Sequence, residues 1–184
     1  VMDINKRNIV EIAGAIINEV GINALSVDAL IKKIGISRDD LLIYLGADDD
    51  LLKFMSLSLE DEIQQLIKNV AAINLSPEKE LENLFKSLYE FFGQKSYYLH
   101  VLFSSEIIEN DTAIHAVLER IKHTVKTYLS TILDKGKKTR VFNNKVETRY
   151  LVENILSRFR LFMSDQQLTN KMIRDLKLIR ADKE

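Results

Sequence analysis

The sequence has no cysteine and no tryptophan, and its 184 residues include one proline and six glycines. The missing cysteines exclude disulfide scaffolds, thiolate metal sites and cysteine nucleophiles. Proline and glycine break helices most strongly, so their scarcity points to long helices. No uncharged run exceeds ten residues, Ser96 to Ser105, which is too short to cross a membrane. No charged n-region followed by an apolar h-region opens the chain, so no secretory signal is visible and the cytoplasm is the default location. Neither sign of charge dominates: 26 basic residues face 27 acidic ones, and a net charge of −1 does not announce a nucleic-acid partner. A glycine-rich phosphate loop and a serine elbow are both absent. The histidines are His100, His115 and His123, and no combination of them with Asp or Glu has a convincing metal-ligand spacing. The chain therefore reads as a non-enzyme with no metal and no cofactor.

What is present is helical periodicity. Ile9, Ile12, Ala13, Ile16, Ile17 and Val20 recur at helix spacing, as do Leu81, Leu84, Phe85, Leu88, Tyr89 and Phe92. Ile114, Val117, Leu118, Ile121, Val125, Tyr128, Leu129 and Ile132 continue the pattern, and Val146, Tyr150, Leu151, Ile155, Phe159 and Phe162 form another such face. Ser76-Pro77-Glu78 reads as a helix start, and Asn144 with Glu147 and Ser164 with Gln167 have capping-box spacing. The spacing predicts an all-α chain with helices near 5–20, 27–34, 38–45, 48–71, 77–92, 95–109, 111–134, 144–163 and 165–180.

The first fifty residues are the informative part. Ser26 is placed to cap a helix holding Val27, Leu30, Ile31 and Ile34. Gly35-Ile36-Ser37 then makes a tight turn, with Gly35 in the left-handed region and Ile36 plugging the space between helices. Ser37 caps a second short helix whose Leu41, Tyr44 and Leu45 face inward. Two short helices joined by a three-residue glycine turn make a helix-turn-helix layout, though any compact helical hairpin has the same outline. The run from Ile9 to Gly21, then Ala24-Leu25-Ser26-Val27, Gly35-Ile36-Ser37-Arg38 and Leu41-Leu42-Ile43-Tyr44-Leu45 resembles the N-terminal domain of the TetR family of bacterial transcriptional regulators. The resemblance covers residues 5–55 and implies a three-helix DNA-binding domain at 1–46 and a helical effector-binding and dimerisation domain at 47–184. It implies a homodimer on a double-stranded DNA operator, acting as a repressor that answers a small-molecule effector. Carried onto this sequence, the DNA-contacting positions are Ser26, Ser37, Arg38, Asp40, Leu42, Ile43, Tyr44 and Lys53.

The departures from the family pattern are acidic and apolar. Asp39 and Asp40 follow Arg38 where a small residue and a Thr or Ser are usual, Leu42 and Ile43 replace aromatic residues, and Asp48-Asp49-Asp50 stand where the family carries a lysine. Ile31 and Ile34 replace small alanines. Residues 1–56 carry a net charge of −3 and the remainder +2, the reverse of what phosphate neutralisation asks for. Asp40 at the capping-box position and Asp48 to Asp50 at a helix start also have a purely local use, stabilising helix N-termini. A second functional reading follows: a TetR-fold dimer that has lost ordinary DNA binding and serves as a ligand-sensing or protein-interaction module.

Tyrosine and phenylalanine cluster at Tyr89, Phe92, Tyr97, Tyr98, His100 and Phe103, either as plain helix packing or as the wall of an effector pocket that Tyr128 and Phe159 would close. Arg158 or Arg160 facing such a pocket would favour an anionic ligand. Lys135 to Arg140 reads as a solvated connection. The stripes of 144–163 and 165–180, including Phe162, Leu168, Met172, Leu176 and Ile179, are expected to form the dimer bundle, the plainer alternative being that they cover the monomer's own core.

Overall fold

The computed structural model describes residues 5–46, 50–104 and 111–178, and among them every regular element is helical. In chain order these are α1 (Lys6–Val20), a 3-10 turn at Ile22–Ala24, α2 (Val27–Ile34), α3 (Arg38–Leu45), α4 (Leu51–Ala72), α5 (Pro77–Gln94), α6 (Tyr97–Phe103), α7 (Thr112–Lys138), α8 (Thr148–Ser157), α9 (Phe159–Ser164) and α10 (Gln166–Leu178). They divide into two compact units: residues 1–62 with 95–119, and residues 63–94 with 120–184. The two long helices α4 and α7 each give residues to both units.

Local chemistry explains most helix starts. Asn5 accepts the Asn8 N–H at 3.0 Å, Ser26 accepts that of Ala29 at 3.1 Å, and Asp50 accepts that of Lys53 at 2.9 Å. Asp111 accepts from both Ala113 and Ile114, at 2.8 and 3.0 Å. Each such cap satisfies a backbone donor that the first turn leaves orphaned. Gly35 lies in the left-handed region at φ 80°, ψ 33°, and ends α2 as its place in the sequence implies.

In the first unit, Ile9, Ala13, Ile16 and Ile17 of α1 are buried with Leu30 of α2, Leu41 of α3, Leu51, Met55 and Leu59 of α4, and Tyr97, Tyr98 and Val101 of α6. Gly14 is buried inside α1 because a methyl there would sit 2.4 Å from a carbon of the Tyr97 ring. In the second unit the core is built from Leu81, Leu84, Phe85, Leu88 and Phe92 of α5, Leu129, Ile132 and Leu133 of α7, Val152 and Ile155 of α8, Phe162 of α9 and Ile173 of α10. Phe85 and Phe162 meet edge to face, their ring centres 5.9 Å apart.

Five local expectations are corrected. Residues 135–138 are helical, not part of a loop, and their lysines lie in the last turn of α7, where the helix dipole favours positive charge. Gly136 does not break that turn: it admits the Phe142 ring, which a methyl there would approach to 2.1 Å. The single helix expected over 144–163 starts later and is split. Asn143, not Asn144, uses its side chain locally, accepting the Lys145 N–H at 2.9 Å, and Lys137 holds the Val146 carbonyl and the Thr148 hydroxyl at 2.6 and 2.9 Å. At Arg158, φ −105° and ψ 6°, the N–H bonds the carbonyls of Ile155 and Leu156, closer than the α-helical partner, and the ladder breaks. Asp165, not Ser164, supplies the oxygen at the start of α10, accepting the Gln167 N–H at 2.8 Å. Tyr44 is exposed rather than inward. Ile179 lies outside the described residues, as do residues 47–49 and 105–110.

Candidate functional site

The candidate head is built on α2, the Gly35 turn and α3, all within the first unit. Ser26 and Ser37 are both helix caps. The Ser37 hydroxyl accepts the Asp40 N–H at 3.1 Å and donates to the Asp40 carboxylate at 2.6 Å, so a closed ring forms at the start of α3. That ring occupies the Asp40 carboxylate locally. Arg38 is exposed, its guanidinium 3.5 Å from the Asp28 carboxylate. Such an exposed pair contributes little to stability, so the guanidinium can exchange it for another anion at small cost. Lys33 holds Glu19 at 2.6 Å and ties α2 to α1.

Leu42 is half-buried, and Ile43 projects outward with 78% of its surface exposed. Tyr44 and Lys53 are brought together: with Lys6, Leu45, Asp50, Phe54 and Leu57 they line a recess of about 240 Å³. Lys6 sits 5.7 Å above the Phe54 ring and 3.2 Å from the Asp61 carboxylate. Of the acids expected at the start of α4, Asp50 is a helix cap, while Asp48 and Asp49 lie outside the described residues.

The aromatic candidates fall into both units. In the first, Tyr97 and Tyr98 are buried side by side with ring centres 4.6 Å apart, while His100 and Phe103 are exposed. The Tyr98 hydroxyl donates to Glu62 at 3.2 Å, and Lys95 reaches Glu62 at 2.5 Å and Glu11 at 3.9 Å. Burial pushes the Tyr98 phenol far above its ordinary range, with the Glu62 charge adding to the shift and a hydrogen bond with Ser58 opposing it. Burial does the same to Tyr97, whose hydroxyl has no hydrogen-bond partner among the described residues. In the second unit, Phe92 is buried against Phe91 and Phe159, with ring centres 5.0 and 5.7 Å away. Tyr89 is half-buried. Tyr128 donates to the buried Glu80 carboxylate at 2.7 Å, and Lys135 approaches the same group at 3.3 Å.

A recess of about 360 Å³ does open in the second unit, but none of the expected aromatic residues lines it. Its walls are Val146, Leu151, Ile155, Leu161, Phe162, Leu168, Met172 and Leu176, with Asn143, Asn154, Arg158, Lys171 and Asp175. Val146, Leu161 and Leu168 of its walls are exposed, and so is Tyr150. Among the described residues no group of three or more His, Asp or Glu side chains is placed to hold a metal ion, and no helix is long and apolar enough to cross a membrane. Sequence reasoning passed over Glu62, Lys95 and Glu80, which pair with partners far away in the chain. Gly14, inside the periodic run from Ile9 to Val20, was a visible signal.

No protein-family model matches the sequence, and no curated protein matches it. Solved structures do match in fold. A TetR family transcriptional regulator, PfmR from Thermus thermophilus, superimposes with a TM-score of 0.76 at 16% identity, covering 96% of this chain and 97% of that one. The ketosteroid transcriptional regulator KstR2 of Mycobacterium tuberculosis gives 0.74 at 12% identity, with the same coverage. FadR from Bacillus subtilis, solved in complex with stearoyl-CoA, gives 0.70 at 15% identity over 94% of this chain and 98% of that one. At these identities the likeness is one of fold: a two-part, all-α architecture shared with transcriptional regulators.

Proposed function

We propose that the chain is a homodimeric transcriptional regulator of the TetR kind, reading duplex DNA through residues 1–46 and binding an effector and its partner copy through 47–184. The observation that carries this reading is the α2–turn–α3 unit. Both helices are serine-capped, Gly35 takes the left-handed turn, and Arg38, Ile43 and Tyr44 are presented outward. That is how a helix-turn-helix offers its second helix to a major groove. The likeness to three transcriptional regulators along nearly their whole length supports it.

Dimerisation runs through α8, α9 and α10, where Tyr150, Leu161 and Leu168, with Val146 just before α8, leave an apolar surface open. A two-fold pair of heads suits a palindromic operator. The regulator represses, and a small molecule taken up by the second domain shifts the dimer between DNA-binding and non-binding populations. The stearoyl-CoA held by one structural relative supports a small-molecule site on this fold.

Selection from a random duplex pool at low salt tests the reading. An enriched palindrome is expected, with affinity falling steeply as salt rises. An unenriched pool favours the second reading, a dimer of this fold that senses a ligand or a protein without DNA. The exposed Asp39 and the net charge of −3 over residues 1–56 speak for that alternative.

A further inference from the structure

Helix α3 does not segregate its apolar residues. Leu41 is buried and Leu42 and Leu45 are half-buried, yet Ile43 is 78% exposed, more than any other large hydrophobic side chain among the described residues. A helix apolar on two faces has a second face to cover. Beside Ile43 on that outer face stands Asp39, four residues earlier and so its neighbour across one turn. Asp39 is exposed, whereas Asp40 is tied to the Ser37 hydroxyl. The outward face of α3 thus offers one branched hydrocarbon and one carboxylate acceptor, flanked by Arg38 at its start.

Resting on the reading of α3 as the groove-entering helix, we infer that Ile43 and Asp39 set the operator sequence, Ile43 by packing on a thymine methyl and Asp39 by accepting from a cytosine amino group. The chemistry of the base edges leads to this pair. An isoleucine makes no hydrogen bond, and the hydrocarbon feature of the major-groove edge is the thymine C5-methyl. A carboxylate is repelled by the guanine N7 and O6 acceptors and by the N7 that flanks the adenine N6 donor, and is satisfied by the cytosine N4 amino group. Four residues of helix advance about 6 Å, and stacked bases are about 3.4 Å apart, so the cytosine and thymine lie one or two steps from each other. Purine recognition by bidentate Arg, Asn or Gln has no counterpart on this face beyond Arg38. Specificity therefore rests on pyrimidines.

The test uses the full chain and the duplex it enriches from a random pool. Each thymine of that duplex is replaced in turn by deoxyuridine, which removes the methyl and keeps every hydrogen bond. One position per half-site is expected to lose about fourfold in affinity, or about fifteenfold when both half-sites are changed, the value of one buried methyl at each. Ile43→Ala should bind the thymine and uracil duplexes equally at that position. Asp39→Asn should lose its preference at a cytosine one or two steps away. Ile43 is exposed, so the variant keeps its fold, which circular dichroism verifies. If the chain binds an enriched duplex but no uracil replacement weakens it, or Ile43→Ala leaves the uracil penalty in place, the inference is overturned and the regulator reading stands. If no duplex is enriched at any salt concentration, both fall.

Discussion

Gly14 and Tyr97 share one volume, and neither can change alone. Alanine at 14 would improve helix propensity by about 1 kcal/mol, but its methyl would overlap the Tyr97 ring, and overpacking of that kind costs about 1–3 kcal/mol. Gly14→Ala should therefore lower stability in urea unfolding, and Gly14→Ala with Tyr97→Ala should lose less than the sum of the two single changes. Additive losses would show that the ring and the helix do not press on each other. At Asp39 the balance is electrostatic. A carboxylate about 6 Å from a phosphate, at a dielectric between surface and bulk values, costs about 1 kcal/mol. In the proposed dimer two copies act, so Asp39→Asn should raise affinity for a random duplex about thirtyfold while flattening preference among sequences. Fluorescence anisotropy with a random and an enriched duplex reads both. An unchanged random-duplex affinity would remove the acid as the obstacle to binding.

Elements differ in how plainly the chain announces them. The caps at Ser26 and Ser37 and the Gly35 turn were legible because each is a bond or a dihedral fixed within three or four residues. The all-α class was legible from the apolar stripes and the scarcity of glycine and proline. The break at Arg158 carried no such mark: neither proline nor glycine stands there, and the ladder shifts through backbone bonds alone. The roles of Tyr98 and Tyr128 were illegible for another reason, since the carboxylates that receive their hydroxyls lie 36 and 48 residues away. The stripe over α8, α9 and α10 was correctly seen as apolar, but periodicity could not say which members face out. Phe162 packs on Phe85 within the chain, while Leu161 and Leu168 are exposed. Leu161→Glu with Leu168→Glu should accordingly yield folded monomers in sedimentation, and Phe162→Glu should yield insoluble protein. A double variant that still sediments as a dimer would place the interface elsewhere.

At the scale of the molecule, the buried tyrosines link proton release to unfolding. Burial holds Tyr97 and Tyr98 above their ordinary value of 10, so the folded state keeps protons that the unfolded chain gives up there. Their contribution is complete below pH 10 and is lost as pH rises above it. Phenolate absorbance from these two residues should therefore appear together with the loss of helical circular dichroism, and phenolate forming in a fully helical protein would contradict the packing. The division of the chain into units bears on recombination. The first unit draws Leu51, Met55 and Leu59 from α4 and Tyr97, Tyr98 and Val101 from α6 into its interior. A gene fusion cut after residue 46 would transfer the helices proposed to read DNA without the side chains that fill the space behind them. The portable cassette instead spans residues 1–119, with 63–94 carried along as an insertion, so exchange of operator specificity between such proteins is served better by replacing residues on α3 than by swapping heads.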